Sequence, residues 1–254
     1  MNFFEKLLFY ISVPKCVCCN EKLDITDKGL CRICARDYYE HKLRNCSVCS
    51  KILSECTCPN DYLKRHSIKR LIKVSRYVNR DESERRFASN MLIYSLKRDN
   101  RADVLDFLSS ELSTAITNNV KTDKSDFIIT SVPRRKAAIR RYGIDHARLL
   151  ANAVAKKLDL PYAALLRSTA KAAQKKMREQ ERIKNATFDY RKSDISIKGK
   201  RVILIDDIVT TGASMGSCAM LLRAIGAKEV IGAAISIAFK DKRIDLTPLI
   251  KHGR

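Results

Sequence analysis

The sequence predicts an α/β protein: a parallel sheet flanked by helices, with a small cysteine-rich unit at its N-terminal end. Three observations carry this. Val202, Ile203, Leu204 and Ile205 form an apolar, β-branched run without alternation, which suits a strand covered on both faces. Asp206, Asp207 and a hydroxyl-rich turn follow, and then Met215, Ala219, Leu222 and Ile225 recur at helical spacing, with Gly226 placed to end the helix. Nine of the ten cysteines lie between residues 16 and 58, in close pairs. At 254 residues the chain has room for one sizeable α/β domain and a small appendage. The expected division is a head over 1–62 and a sheet domain over 63–254.

The first stretch, MNFFEKLLFYISVP, lacks a basic leading region and a small-residue cleavage site. Phe3, Phe4, Leu7, Leu8 and Ile11 instead make one face of a short helix packed on the fold. No apolar run approaches the length of a membrane span, so the protein is expected in the cytoplasm and not across a membrane.

The cysteines form CVCC, CRIC, CSVC and CTC. In reducing cytosol such pairs indicate metal rather than disulfides. A two-residue gap aims both thiolates at one ion, and two such knuckles complete a tetrahedral Zn²⁺ site. Cys16, Cys19, Cys31 and Cys34 make one zinc site. Cys46, Cys49, Cys56 and Cys58 make a second if the last two, with one residue between them, can turn to the same ion. Linear pairing is favoured, and spacing alone leaves an interleaved arrangement open. Cys18 reads as a spare thiol and Cys218 as a small core residue.

Between head and acid pair, a strand is expected near Ile72 to Val78 and helices over Glu84 to Leu96 and Ala102 to Ile116. Lys97 closes the first helix as an ordinary C-terminal cation. FIITSVPRRK then reads as a strand with a loop at its carboxyl end. If parallel to the 202–205 strand, it brings Arg134 or Arg135 toward the same edge; the alternative is surface arginines after a turn. A further helix places Leu149, Leu150, Ala153, Val154 and Leu158 inward. His146, at its start, reads as a surface or capping residue.

The loop after Ile205 carries the chemistry. Open α/β sheets bind ligands at the carboxyl ends of their strands, and a loop opening a helix presents free N–H groups to anions. Thr210, Thr211, Gly212, Ala213 and Ser214 can wrap a phosphate with amides and hydroxyls. Asp206 and Asp207 can accept hydrogen bonds from a ribose diol or hold Mg²⁺ through its waters. The expected ligand is a phosphorylated ribose.

Net charge is +22, and residues 134–182 hold fourteen Lys or Arg against four acids, a local +10. Such an excess beside a phosphate site points to a polyanion gripped by backbone electrostatics, with no base-reading motif alongside. The candidate contacts are Arg140, Arg141, Lys171, Lys175, Lys176, Arg178 and Arg182. The segment from Arg167 to Phe188 reads as a basic, partly helical element over the site; the alternative is a solvated basic face.

The run VILIDDIVTTGAS resembles the PRPP-binding motif of type I phosphoribosyltransferases. Over nearly its whole length the chain resembles the ComF family of competence-associated, phosphoribosyltransferase-like proteins. The likeness rests on the head cysteines, SVPRR, GIDHARLLA, Arg167, Gln174, Glu181-Arg182, Asn185 to Phe188 and DDIVTTGAS, in that order. Where family members usually read G-F-N-Q-A, this chain has Gly143, Ile144, Asp145, His146 and Ala147, and Thr169 and Lys171 replace a usual Arg and Thr.

The resemblance implies a double zinc ribbon ahead of a type I phosphoribosyltransferase-like domain, PRPP with Mg²⁺ as ligand, and single-stranded DNA as partner. It also implies a part in bringing that strand into the cytosol during transformation, beside a competence helicase or membrane channel. Two readings follow: a protein that binds PRPP and DNA, or an enzyme moving phosphoribosyl from PRPP to a nucleobase. In the second, Asp206 and Asp207 serve catalysis.

Overall fold

The computed structural model describes residues 13–77, 87–120, 126–169 and 188–238. The expected N-terminal helix and most of the basic 167–188 segment lie outside them. Among the described residues the central sheet has four strands: β1 (Ile68–Tyr77), β2 (Phe127–Ser131), β5 (Arg201–Val209) and β6 (Glu229–Ala238), in the order β1-β6-β5-β2. Every pairing is parallel. A short antiparallel pair, β3 (Leu166–Ser168) and β4 (Phe188–Tyr190), stands apart.

Strand alternation explains why the 202–205 run is continuously apolar. Ile203 and Ile205 join one core cluster, Val202 and Leu204 the other, as the period of two requires. Each such side chain stabilises the fold by about 1.5–3 kcal/mol on burial. Against the first face pack α3 (Ala88–Arg98), α4 (Ala102–Asn119) and α6 (His146–Leu158), through Leu92, Leu108 and Val154. Against the second packs α7 (Ala213–Ala224), through Met215, Ala219 and Leu222. The expected stripe of α6 is slightly rotated: Leu150, Val154 and Leu158 are buried as expected, Ala147, Ala151 and Ala155 join them, and Leu149 and Ala153 flank them.

The expected elements are present where described; the expected strand end at Val78 and helix start at Glu84 to Arg86 lie outside the described residues. β1 starts four residues before Ile72, α3 runs on to Arg98, and α4 extends to Asn119. A short helix, α5 (Lys136–Tyr142), follows the β2 loop. Gly143, in left-handed conformation, closes α5, and the Asp145 carboxylate caps α6 by accepting from Arg148 N–H.

The head packs on the sheet rather than standing off it. Leu23, Leu30 and Tyr38 share the first core cluster with α3 and α4. Helix α1 (Arg32–Lys42) is held by Glu111 of α4, which accepts from Tyr38 Oη at 3.2 Å and pairs with Lys42 at 2.5 Å. Gly29 N–H donates to Asp103 at 3.0 Å. On the other face, α2 (Asp61–Arg65) leads from the head into β1, with Leu63 fully buried.

Candidate functional site

The acid pair sits at the carboxyl end of β5, and alternation sends its members to opposite faces of the sheet. Asp207, 6% exposed, meets two cations: Lys97 Nζ at 2.9 Å from α3 and Arg134 Nη2 at 3.1 Å from the β2 loop. Burial alone would raise its carboxyl, but these charges outweigh it and hold Asp207 below the usual carboxylate range. Asp206 is pushed up to about 8, by burial first and by the charge of Asp207 second. Its carboxyl accepts from Asp207 N–H at 2.8 Å, and the Asp207 carboxyl accepts from Ile208 N–H at 2.7 Å. The pair thus divides into one ionised, cation-bound carboxylate and one held toward its neutral form, as like charges side by side require.

The loop closes the other wall. Tyr77, Lys97 and residues 206–215 line a cleft of about 360 Å³. Gly212, at the N-cap of α7 with φ +84°, has no side chain to cap that helix, so N–H groups of its first turn beyond Ala213 remain available to an anion in the cleft. Thr211 Oγ1 accepts from Ala213 N–H at 3.2 Å, shaping the turn.

The loop is braced from the head. Asn60 caps α2 by accepting from Leu63 N–H at 2.9 Å and donates to Thr211 O at 3.2 Å. A Cβ on Gly212 would stand 2.7 Å from Leu63 Cγ, and one on Gly216 would stand 2.9 Å from Tyr62 and His66. Only hydrogen at both positions lets α2 sit directly on the loop.

The sequence-predicted residues fall into three groups. Asp206, Asp207, Thr210, Thr211, Gly212, Ala213 and Ser214 line one cleft, and Arg134 reaches it through Asp207. Arg135 stands at the N-cap of α5, and Arg140 is exposed on that helix. The side chain of Arg141, and Lys171, Lys175, Lys176, Arg178 and Arg182, lie outside the described residues.

Lys97 is not the ordinary helix-end cation its sequence position suggests but a wall of the site. His146 is neither on the surface nor the cap: it is 1% exposed, its Nδ1 has no hydrogen-bond partner, and burial, then Arg134, hold its imidazole below the ordinary range. Ala147, Leu150, Ala151, Val154 and Ala155 of the same helix are buried with it, while Arg148 of its first turn stays exposed.

The two cysteine sets assemble linearly. Within Cys16, Cys19, Cys31 and Cys34, and within Cys46, Cys49, Cys56 and Cys58, the sulfurs lie within 4.8 Å of one another. Tetrahedral Zn²⁺ with bonds of about 2.3 Å needs sulfurs about 3.8 Å apart, so small adjustments fit either set to the ion. The one-residue gap does not prevent this, since Cys58 N–H donates to Cys56 Sγ at 3.4 Å as Val48 N–H does to Cys46 Sγ at 3.4 Å. Cys218 is buried in the core as expected. No described helix is long and apolar enough to cross a membrane.

A parallel sheet with an acid pair and an open helix start at one strand end defines a phosphoribosyltransferase-like domain, and residues 145–251 match the phosphoribosyl transferase domain family. The chain is 26% identical to the DNA utilization protein YhgH of Escherichia coli over 228 residues, 87% of this chain and 96% of that one. It is 25% identical to competence protein F of Haemophilus influenzae over 240 residues, 91% and 96% of the two chains. A ribose-phosphate pyrophosphokinase of Thermococcus kodakarensis is 36% identical over 67 residues, 26% of this chain and 24% of that protein, so the chain spans about a quarter of that relative's length. Homology to competence protein F and YhgH over most of the chain, together with the phosphoribosyltransferase domain, supports the resemblance to the ComF family.

Proposed function

We propose that the protein binds PRPP, or a related phosphorylated ribose, with Mg²⁺ at the β5 end, and grips single-stranded DNA through its basic surface to assist DNA uptake. The observation that carries the reading is the single cleft in which Asp206 and Asp207, Lys97 and the open start of α7 face one another. It brings together N–H donors, two carboxylates and a cation, groups suited to a 5′-phosphate, a ribose diol and a pyrophosphate. Thr210 to Ser214 hold the 5′-phosphate, Asp206 and Asp207 orient the diol, and Lys97 and Arg134 turn from Asp207 toward the pyrophosphate. Mg²⁺, bound with the ligand, supplies charge neutralisation between pyrophosphate and diol.

The DNA half of the reading rests on the net charge of +22 and on the relatives named for competence and DNA utilization. It implies salt-sensitive binding with weak sequence preference. Changing Lys171, Lys175, Lys176 and Arg178 to Ala is expected to weaken DNA binding and flatten its salt dependence.

The test is a calorimetric titration of Mg-PRPP into the zinc-loaded protein, with and without a short single strand, repeated on Asp206→Asn with Asp207→Asn. Binding that falls at least tenfold in the variant supports the site. Unchanged affinity removes the assignment. Pyrophosphate release when a nucleobase is added would turn the reading to a transferase.

A further inference from the structure

We propose that Lys73 is the counter-charge and positioning residue of the second cysteine cluster, holding Cys46, Cys49, Cys56 and Cys58 in their metal-binding arrangement and fastening them to the sheet. Lys73 lies in the middle of β1, opposite Ala234 of β6, and is 1% exposed. Its Nζ donates to Cys56 Sγ at 3.0 Å, to Cys56 O at 3.1 Å and to Cys58 O at 3.1 Å. Leu71 O, at 3.5 Å, completes its surroundings.

A buried ammonium is costly unless an anion accompanies it. Among the described residues no carboxylate pairs with Lys73. Of the groups it touches, three are carbonyls, and Cys56 Sγ is the one that can carry negative charge. Four thiolates around one divalent zinc make a cluster of charge 2−, which in turn is costly beside an apolar sheet, and a touching ammonium reduces it to 1−. Each charge therefore supplies what burial of the other lacks.

The same contacts bear on the spacing of the last two ligands. By drawing the carbonyls of Cys56 and Cys58 to one point, Lys73 orients both peptides, so that two thiols with a single residue between them face one ion. Outer-shell partners of this kind typically govern metal affinity by about 10- to 100-fold. Among the described residues no ammonium donates to a sulfur of Cys16, Cys19, Cys31 or Cys34, so the first cluster is an internal control within the same chain.

The experiment uses the full chain loaded with zinc and the variant K73M, which keeps length and apolar stem while removing charge and donors. Zinc per chain is counted against a competing chelator, and thiol alkylation maps which cysteines open. The expected result is one zinc held as in the wild type and one held about 10- to 100-fold more weakly, with Cys46, Cys49, Cys56 and Cys58 alkylated first. Two equally tight ions, or equal loss from both clusters, overturns the proposal.

If K73M fails to fold, amine acetylation of the wild type decides. Lys73 is expected to be protected in the loaded protein and modified once zinc is withdrawn from the second cluster. Protection that persists after withdrawal overturns the proposal.

Discussion

Lys97 Nζ stands 2.9 Å from Asp207 Oδ2, joining the last turn of a helix on one face of the sheet to the end of a strand at its centre. The contact gives Asp207 its ionised form and places a cation in the cleft whose partner can be exchanged. Replacing Lys97 with Met is expected to weaken Mg-PRPP binding by about 10-fold, the worth of one lost charge-assisted hydrogen bond. Because Arg134 still accompanies Asp207, the thermal midpoint should move little. Titration calorimetry beside a melting curve checks both halves, and a large loss of stability with intact affinity would make Lys97 structural.

Asp206 makes affinity depend on pH. Its carboxyl is pushed up to about 8, whereas the unfolded chain releases that proton near about 3.9. Its contribution to stability is therefore fully present below the unfolded value and is lost as pH rises through about 8. A magnesium-bound diol needs the carboxylate, so binding at neutral pH releases a proton, and affinity should strengthen up to about tenfold per pH unit from about pH 6 to about pH 8, then level off. Calorimetry in buffers of different ionisation enthalpy measures that proton directly; no buffer dependence would place the metal away from Asp206.

Gly212→Ala meets two obstacles, a φ of +84° and a Cβ position 2.7 Å from Leu63 Cγ. A loss of about 1–3 kcal/mol is expected by urea denaturation. Leu63→Ala in the same chain should recover the steric part and leave the backbone part, so the double-mutant cycle should show coupling. Strict additivity would mean that α2 does not rest on the loop.

Withdrawing zinc should loosen the head and lower the thermal midpoint, because thiolates gathered around a metal make binding and folding one process. The expected count is two ions per chain. Asn60, two residues beyond Cys58, hydrogen-bonds Thr211 O, so Mg-PRPP affinity should fall with the second ion. Chelation monitored by a zinc-sensitive dye, followed by ligand titration, tests this.

The acid pair, the hydroxyl turn and the helix after it are legible in the sequence because they are contiguous: one strand end positions all of them. The CxxC spacing is equally local. Lys97, Tyr77 and Lys73 are not legible, because their roles arise from crossovers that bring α3 to the end of β5, set β1 one strand away across β6, and lay β1 against the head. Lys73 still leaves a trace, a cation between Ile72 and Val74, both fully buried, where the pattern asks for an apolar or small residue. His146 illustrates the reverse: a polar residue opening a helix reads as exposed, and only the packing of α6 on the sheet buries it.

The strand order β1-β6-β5-β2 has a consequence for synthesis of the chain. Parallel neighbours need long crossovers, and here the first strand made pairs only with the last described one. While the ribosome is still adding β2, β5 and α7, β1 carries ten residues of backbone with no sheet partner. Pausing translation cannot help it, since among the described residues no partial product short of β6 contains its neighbour. The nascent polypeptide must therefore be kept from pairing that open edge with other strands until emergence of β6 lets the described sheet assemble.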